Sequence, residues 1–321
     1  MTTTSGIEPS RGARLGGPPL RSAKRLLTAT RPMFFPASAL PVLLGTAWGA
    51  RLDGALDPGP FALALAATLA VHAGVNILND VYDDLGGTDR INTGRIPPFT
   101  GGSRHIQDGI MTARQMFRWG VALLAFAAAL GLALFATKGP GVLLFGAAGV
   151  TLGILYSAPP VRLSARGLGE AAVGFGFGVL PVTGAAWLQS GSLDWGALLL
   201  SLPVALWVVD ILLVNEIPDA AADGATGKRT LVVRLGLNGT RNFYVLLNVL
   251  AVFCIVAMVA EGLVPLASAA AAPLLLLAAL GAARAIGRTE DRRCALTKSI
   301  KATLAIHAVG TLWLAAWIWI G

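Results

Sequence analysis

Nine stretches of mostly apolar residues, each close to twenty long, dominate this sequence. They fall at about 33–52, 60–79, 116–137, 140–157, 169–189, 196–214, 243–262, 264–283 and 302–320. Roughly twenty apolar residues are what a helix needs to cross a bilayer core. No water is available there to satisfy backbone N–H and C=O groups, so such segments are confined to helices that close their own hydrogen bonds. The reading is an all-α integral membrane protein with nine transmembrane helices. Charged residues make up 13% of the chain, about half of what a soluble globular protein carries, which excludes an ordinary soluble enzyme. Residues 31–321 leave no room for a second domain. Residues 1–30, rich in Gly, Pro, Arg and Thr, are expected to form a disordered cytoplasmic tail and lack the apolar core of a signal peptide.

The net charge of +8 would point to nucleic acid in a soluble protein. Here 23 of the 25 Lys and Arg fall in the N-terminal tail and the loops after the even-numbered spans, leaving only Arg51 and Lys138 opposite. That bias is the positive-inside signature. It predicts a cytoplasmic N-terminus and even loops, with the C-terminus across the membrane beside an interfacial belt of Trp313, Trp317 and Trp319. The basicity is then a topology signal and calls for no nucleic-acid partner.

The acidic residues are concentrated. The second span ends in Asn76-x3-Asp80-x3-Asp84, with Asp83 and Asp89 beside it, and the sixth ends in Asn215-x3-Asp219-x3-Asp223, each position repeating after 139 residues. A spacing of four lines each triplet along one helical face. Unpaired carboxylates stacked this way repel one another and are costly near a membrane, so they mark a functional site. A divalent cation relieves both problems, and Mg²⁺ is usually held by one or two carboxylates together with substrate phosphates. The nearby cations Arg90, Arg95, Arg104, Lys228 and Arg229 suit phosphate oxygens. Together these predict a Mg²⁺-dependent site for a lipid diphosphate, whose tail lies among the helices and whose diphosphate, once neutralised, departs to leave an allylic carbocation.

Further motifs follow in order: Tyr156-Ser-Ala-Pro-Pro-Val-Arg162-Leu, Gly167-Leu-Gly-Glu170, Gly178-Val-Leu-Pro181-Val-x-Gly184 and Gly227-Lys228-Arg229-Thr230-Leu-Val-Val-Arg234-Leu-Gly236. With the two acidic motifs, this series resembles the UbiA superfamily of intramembrane aromatic prenyltransferases over roughly residues 30–321. It is most similar to the 1,4-dihydroxy-2-naphthoate polyprenyltransferase branch of menaquinone synthesis. The resemblance implies a helical bundle around a central cavity, capped by cytoplasmic loops. It implies Mg²⁺ and diphosphate held by Asn76, Asp80, Asp84, Asn215, Asp219 and Asp223, and a quinone-precursor acceptor in a bacterial cytoplasmic membrane. Asp83, about 100° around the helix from Asp84, is expected to serve a second shell or a second metal. Two departures from that branch bear on the acceptor. Val81 and Glu216 stand in the acidic motifs where Tyr and Asn are usual, and the loop 92–104 is long.

Other polar residues at membrane depth have weaker readings. His72 precedes Asn76 by four and either orients an acceptor, relays a proton or packs the bundle. Tyr156 and Arg162 flank a Pro-Pro turn, where they could contact acceptor or diphosphate. Asp210 requires an interior partner, and Glu170 opens a helix. Cys254 and Cys294 fit neither a disulfide nor a zinc pattern. Two alternatives compete with prenyl transfer: a membrane terpene cyclase using the diphosphate without an acceptor, and a cation-coupled transporter. Clustering of the carboxylates at one end disfavours the latter, whose sites lie near mid-membrane.

Overall fold

The structure, a computed structural model, describes residues 19–288 and 290–320, and these contain helices and no strand. The helices are α1 (Pro19–Ala29), α2 (Pro36–Asp53), α3 (Pro58–Leu85), α4 (Thr88–Ile91), α5 (Ala113–Lys138) and α6 (Gly141–Ser157). They continue as α7 (Gly169–Val173), α8 (Leu180–Ser190), α9 (Trp195–Ala225), α10 (Leu231–Ala260), α11 (Ala271–Ile286) and α12 (Arg292–Ile320). Among the described residues, eight helical segments are long and apolar enough to span a membrane. The ninth expected span is α6, only 17 residues long, so the count of nine resolves into eight full-length helices and one short one. Within the 1–30 tail, expected to be disordered, residues 19–29 form α1; residues 1–18 lie outside the described residues. Lys24 and Arg25 fall on one side of α1 and Leu26 and Leu27 on the other, the pattern of an interfacial rather than a spanning helix.

Helix ends follow local chemistry. The Asp57 carboxylate accepts from Gly59 N–H at 3.3 Å to start α3, and Thr112 and Gln115 form a reciprocal capping box at α5. Asp194 caps α9 through Ala197 N–H at 3.0 Å and also accepts from Trp48 Nε1 at 2.7 Å, fastening α9 to α2.

Packing proceeds largely in chain order: α3 against α5, α5 against α6, α9 against α10, α10 against α11 and α11 against α12. α2 closes the assembly by touching α3, α8, α9 and α12. Its approach to α8 depends on two small residues one turn apart. A Cβ at Gly45 would lie 2.1 Å from Val182 O, and one at Gly49 would lie 2.3 Å from Ala186 O, so any larger residue would force the helices apart. α9 is the most deeply buried span, whereas α5, α6, α10 and α11 carry exposed residues such as Phe126, Leu144, Phe253 and Leu274, as lipid-facing helices do. Asp210, inside α9, has the interior partner it needs, accepting from Asn248 Nδ2 of α10 at 2.7 Å. The α7–α8 span changes to π-helix over Gly174–Val179, a local widening that often accompanies functional sites. It turns Phe177 into the bundle interior, where a cavity opens.

Candidate active site

The cavity, about 240 Å³, lies where the C-terminal ends of α3 and α9 meet. Asn76 and Asp83 of α3 line it, as do Asn215, Asp219 and Asp223 of α9 and Lys228 just beyond. The two acidic motifs therefore face one space. Lys228 joins them: its Nζ lies 2.9 Å from Asp83 Oδ1 and 3.2 Å from Asp223 Oδ1. Burial alone would lower the Lys228 pKa, but these two carboxylates outweigh it and hold the ammonium above its usual range. Thr88 and Thr226 hydroxyls meet at 2.8 Å and tie the segments that follow the two helices.

The triplets are not equivalent. Asp84 is directed away from the cavity, accepting from Arg90 Nε at 3.1 Å, Arg90 Nη2 at 3.2 Å and Gln107 Nε2 at 3.2 Å. Its neighbour Asp83 takes the inner position. Asp80 sits directly behind the lining: its Oδ2 accepts from Ser103 N–H at 2.9 Å, while its buried Oδ1 has no donor. Asp219 is held by Asn92 Nδ2 at 2.7 Å and Gly101 N–H at 3.0 Å. The long loop after α3 thus supplies N–H donors to carboxylates of both motifs. Backbone N–H groups reach them because Gly101 and Gly102 adopt φ of 75° and 70°, the left-handed region open chiefly to glycine.

The cations divide. Lys228 reaches the cavity. Arg90 is exposed and paired with Asp84, and Arg229 is exposed on the surface, its N–H donating to Ala165 O at 2.9 Å. Arg104 donates to the Asp89 carbonyl, and Arg95 packs alongside Gly101. Arg162 lies beside Gly86 at the mouth of the Pro-Pro turn. None of these five lines the cavity. Arg31 does: its Nη2 donates to Phe99 O at 2.6 Å, and its guanidinium lies 4.9 Å from the Phe34 ring centroid. Arg31 precedes the first apolar span and reads in the sequence as one more tail cation, so nothing local singled it out. Asp89 and Asn92 likewise line the site although their spacing fits neither motif. The Asp89 carboxyl is pushed up to about 8 by burial and then by the charges of Asp80, Asp83 and Asp219, with Lys228 opposing.

Deeper in the cavity the walls become apolar, with Val71, Val75, Leu152, Phe177, Val208, Ile211 and Leu212. His72 and Tyr156 also line it. Glu170 accepts from Leu231 N–H at 2.8 Å, so it caps α10 rather than its own helix.

Among the described residues, no three His, Cys, Asp or Glu side chains converge as they do around a bound ion. Yet Asp80 Oδ1, Asp89 Oδ2, Asn92 Oδ1, Asn215 Oδ1 and Glu216 Oε2 are all buried acceptors without donors. A Cβ at Gly102 would lie 2.9 Å from Asp80 Oδ1 and 3.0 Å from Asp89 Oδ2. Two unpaired carboxylate oxygens therefore face the space that glycine leaves open. An all-oxygen set of this kind suits a hard divalent cation.

This arrangement has relatives. The UbiA prenyltransferase family pattern matches residues 38–308. A 1,4-dihydroxy-2-naphthoate octaprenyltransferase of Mycobacterium tuberculosis is 33% identical over 263 residues, covering 79% of this chain and 87% of that one. A UbiA prenyltransferase domain-containing protein 1 of Gallus gallus is 31% identical over 236 residues, covering 71% and 68% respectively. Among solved structures, a UbiA homologue from Archaeoglobus fulgidus, bound to DMAPP and Mg²⁺, superimposes with a TM-score of 0.65 at 17% identity, covering 90% of this chain and 98% of that one. Family pattern, relatives and fold agree: the chain belongs to the UbiA prenyltransferase family and is an integral membrane enzyme.

Proposed function

We propose that this enzyme transfers a polyprenyl group from a polyprenyl diphosphate to an aromatic acceptor of the 1,4-dihydroxy-2-naphthoate type, in a Mg²⁺-dependent reaction. The observation that carries this reading is the meeting of both acidic helix ends and Lys228 at one cavity whose far walls are apolar. The names of the relatives supply the acceptor class, and the archaeal homologue bound to DMAPP and Mg²⁺ supports the cofactor and donor.

Asp80, Asp83, Asp89, Asn215, Asp219 and Asp223 would hold Mg²⁺, with Asn76 beside them. Bound there, Mg²⁺ neutralises diphosphate and so makes it a better leaving group. The chain's own residues do the rest. Lys228 places an ammonium against phosphate oxygens, and Arg31 adds a second cation. Asn92 and Gly101 fix the Asp219 carboxylate. The apolar walls take the first part of the prenyl chain and keep water from the allylic cation as diphosphate departs. His72 and Tyr156 border the space an acceptor would fill. In this reading Arg90, Arg104 and Arg229 support the surrounding loops, and the N-terminus and acidic ends face the cytoplasm in keeping with the cation bias.

Purified enzyme supplied with Mg²⁺, a polyprenyl diphosphate and 1,4-dihydroxy-2-naphthoate is expected to yield prenylated naphthoquinol and diphosphate. Cyclic hydrocarbon formed from the diphosphate alone would replace this reading with terpene cyclisation.

A further inference from the structure

The cavity contains one polar pair that holds neither metal nor diphosphate. Ser38 of α2 and His72 of α3 meet with Oγ 2.6 Å from Nδ1. Both residues are buried, at 1% and 5% exposure, and both line the cavity. The imidazole is held edge-on between two aromatic rings, Phe35 at 5.5 Å and Phe177 at 4.9 Å between centroids. With Nδ1 committed to Ser38, Nε2 has no hydrogen-bond partner among the described residues. Nε2 is not fully enclosed, and His72 lines the cavity. Oriented in this way, a ring nitrogen can take or return a proton at a fixed place.

We propose that His72, oriented by Ser38, shuttles the proton of the acceptor's ring hydroxyl, and that the acceptor ring lies against Phe177. This rests on the prenyl-transfer reading above and adds a residue role to it. As the donor's C1–O bond breaks, diphosphate leaves with the electron pair. A ring carbon supplies the pair for the new C–C bond, the hydroxyl oxygen takes on carbonyl character, and its proton passes to Nε2. Rearomatisation expels the substituent at the prenylated carbon, either a C–H proton that the released diphosphate accepts or carbon dioxide from a carboxylate, and His72 returns its proton to the ring oxygen. His72 is then a catalytic residue and Ser38 a positioning residue.

The test compares wild type, His72→Ala, His72→Gln and Ser38→Ala across naphthol and naphthoate acceptors graded by hydroxyl acidity. Mg²⁺-dependent binding of a prenyl thiodiphosphate is measured beside it. His72→Ala should lower kcat about 100-fold on weakly acidic acceptors, the scale of one general acid–base group. The loss should shrink steadily as the acceptor hydroxyl becomes more acidic, with the donor KM and thiodiphosphate binding unchanged. Ser38→Ala should show the same trend at about 10-fold. Near-normal kcat in His72→Ala, or an equal loss on every acceptor, overturns the proposal. If both His72 variants lose thiodiphosphate binding, Ser38→Ala decides by the same criterion: a graded loss supports the shuttle and a flat one overturns it. Wild-type enzyme that prenylates no acceptor would instead sink the functional reading, and the shuttle with it.

Discussion

The ends of α3 and α9 carry the same Asn-x3-Asp-x3-Asp spacing, yet they place their side chains differently. At α9, Asn215, Asp219 and Asp223 all face the cavity. At α3, Asp84 turns outward to Arg90 and Gln107, Asp83 turns inward to Lys228, and Asp80 stays behind the loop that holds it. Steps of four residues advance a helical stripe by about 40° beyond each full turn, so a triplet drifts across a face. α9 contains Pro218 where α3 has Asn79. Proline removes one helical hydrogen bond and locally bends the axis, whereas Asn79 keeps the ladder and spends its side chain on Ser157 Oγ at 3.0 Å. Equal spacing thus yields unequal placement: α9 presents three oxygen-bearing side chains to the cavity, and α3 divides its carboxylates among the cavity, the loop and a buried pairing with Arg90 and Gln107.

This comparison can be broken in several ways. The largest effects belong to the middle carboxylates, which both ends depend on. Asp80→Asn and Asp219→Asn should each reduce turnover by at least about 100-fold in a prenyl-transfer assay, with the bundle still folded by circular dichroism. Next comes the contrast within α3. Asp83→Asn should cost more activity than Asp84→Asn, about 10- to 100-fold against less than about 10-fold. The reverse order would mean that the stripe read from the spacing, not the placement seen here, describes the working enzyme. Lys228→Met leaves Asp83 and Asp223 facing each other without their shared cation. Removing one member of a buried ion pair costs about 3–5 kcal/mol, so thermal stability should drop, and Mg²⁺ should restore part of it.

The last effect is a pH dependence. The Asp89 carboxyl titrates near 8 in the folded protein against about 4 in an unfolded chain. The folded state therefore binds this proton more tightly, and the associated stability is present at low pH and lost as pH rises from about 4 through about 8. Without divalent cations the melting temperature should decline across that window, and saturating Mg²⁺ should flatten the decline. A melting temperature that rises across the same window in metal-free buffer would count against the burial of this carboxyl.

Much of the molecule was legible in its sequence. Hydropathy marked the eight long apolar helices and the shorter Gly141–Ser157, because lipid leaves the backbone no alternative to helices. The repeated acidic spacing falls on the two helix ends that line one cavity. Rotation within a helix was harder to read, so Asp83 and Asp84 exchange places relative to the spacing argument. The contributions of Arg31 and of the loop 92–107 could not be foreseen from local pattern. Arg31 lines the cavity and meets the distant loop through the Phe99 carbonyl, a tertiary contact that local sequence does not show. Asn92, Gly101 and Ser103 act through single hydrogen bonds that depend on how the loop closes. Of the cations expected to meet phosphate, Lys228 lines the cavity and Arg90, Arg95, Arg104 and Arg229 do not, because a positive-inside bias and a phosphate site draw on the same residue types. Burial separates them: Lys228 is enclosed, while Arg90 and Arg229 face solvent.

The central claim is that both helix ends build one Mg²⁺–diphosphate site. Equilibrium binding of a prenyl thiodiphosphate, titrated with Mg²⁺ in wild type, Asp80→Asn, Asp219→Asn and the double variant, tests it most directly. One shared site predicts that either single substitution abolishes Mg²⁺-dependent binding and that the double variant is no worse. Wild-type Mg²⁺-dependent affinity in either single variant would contradict it.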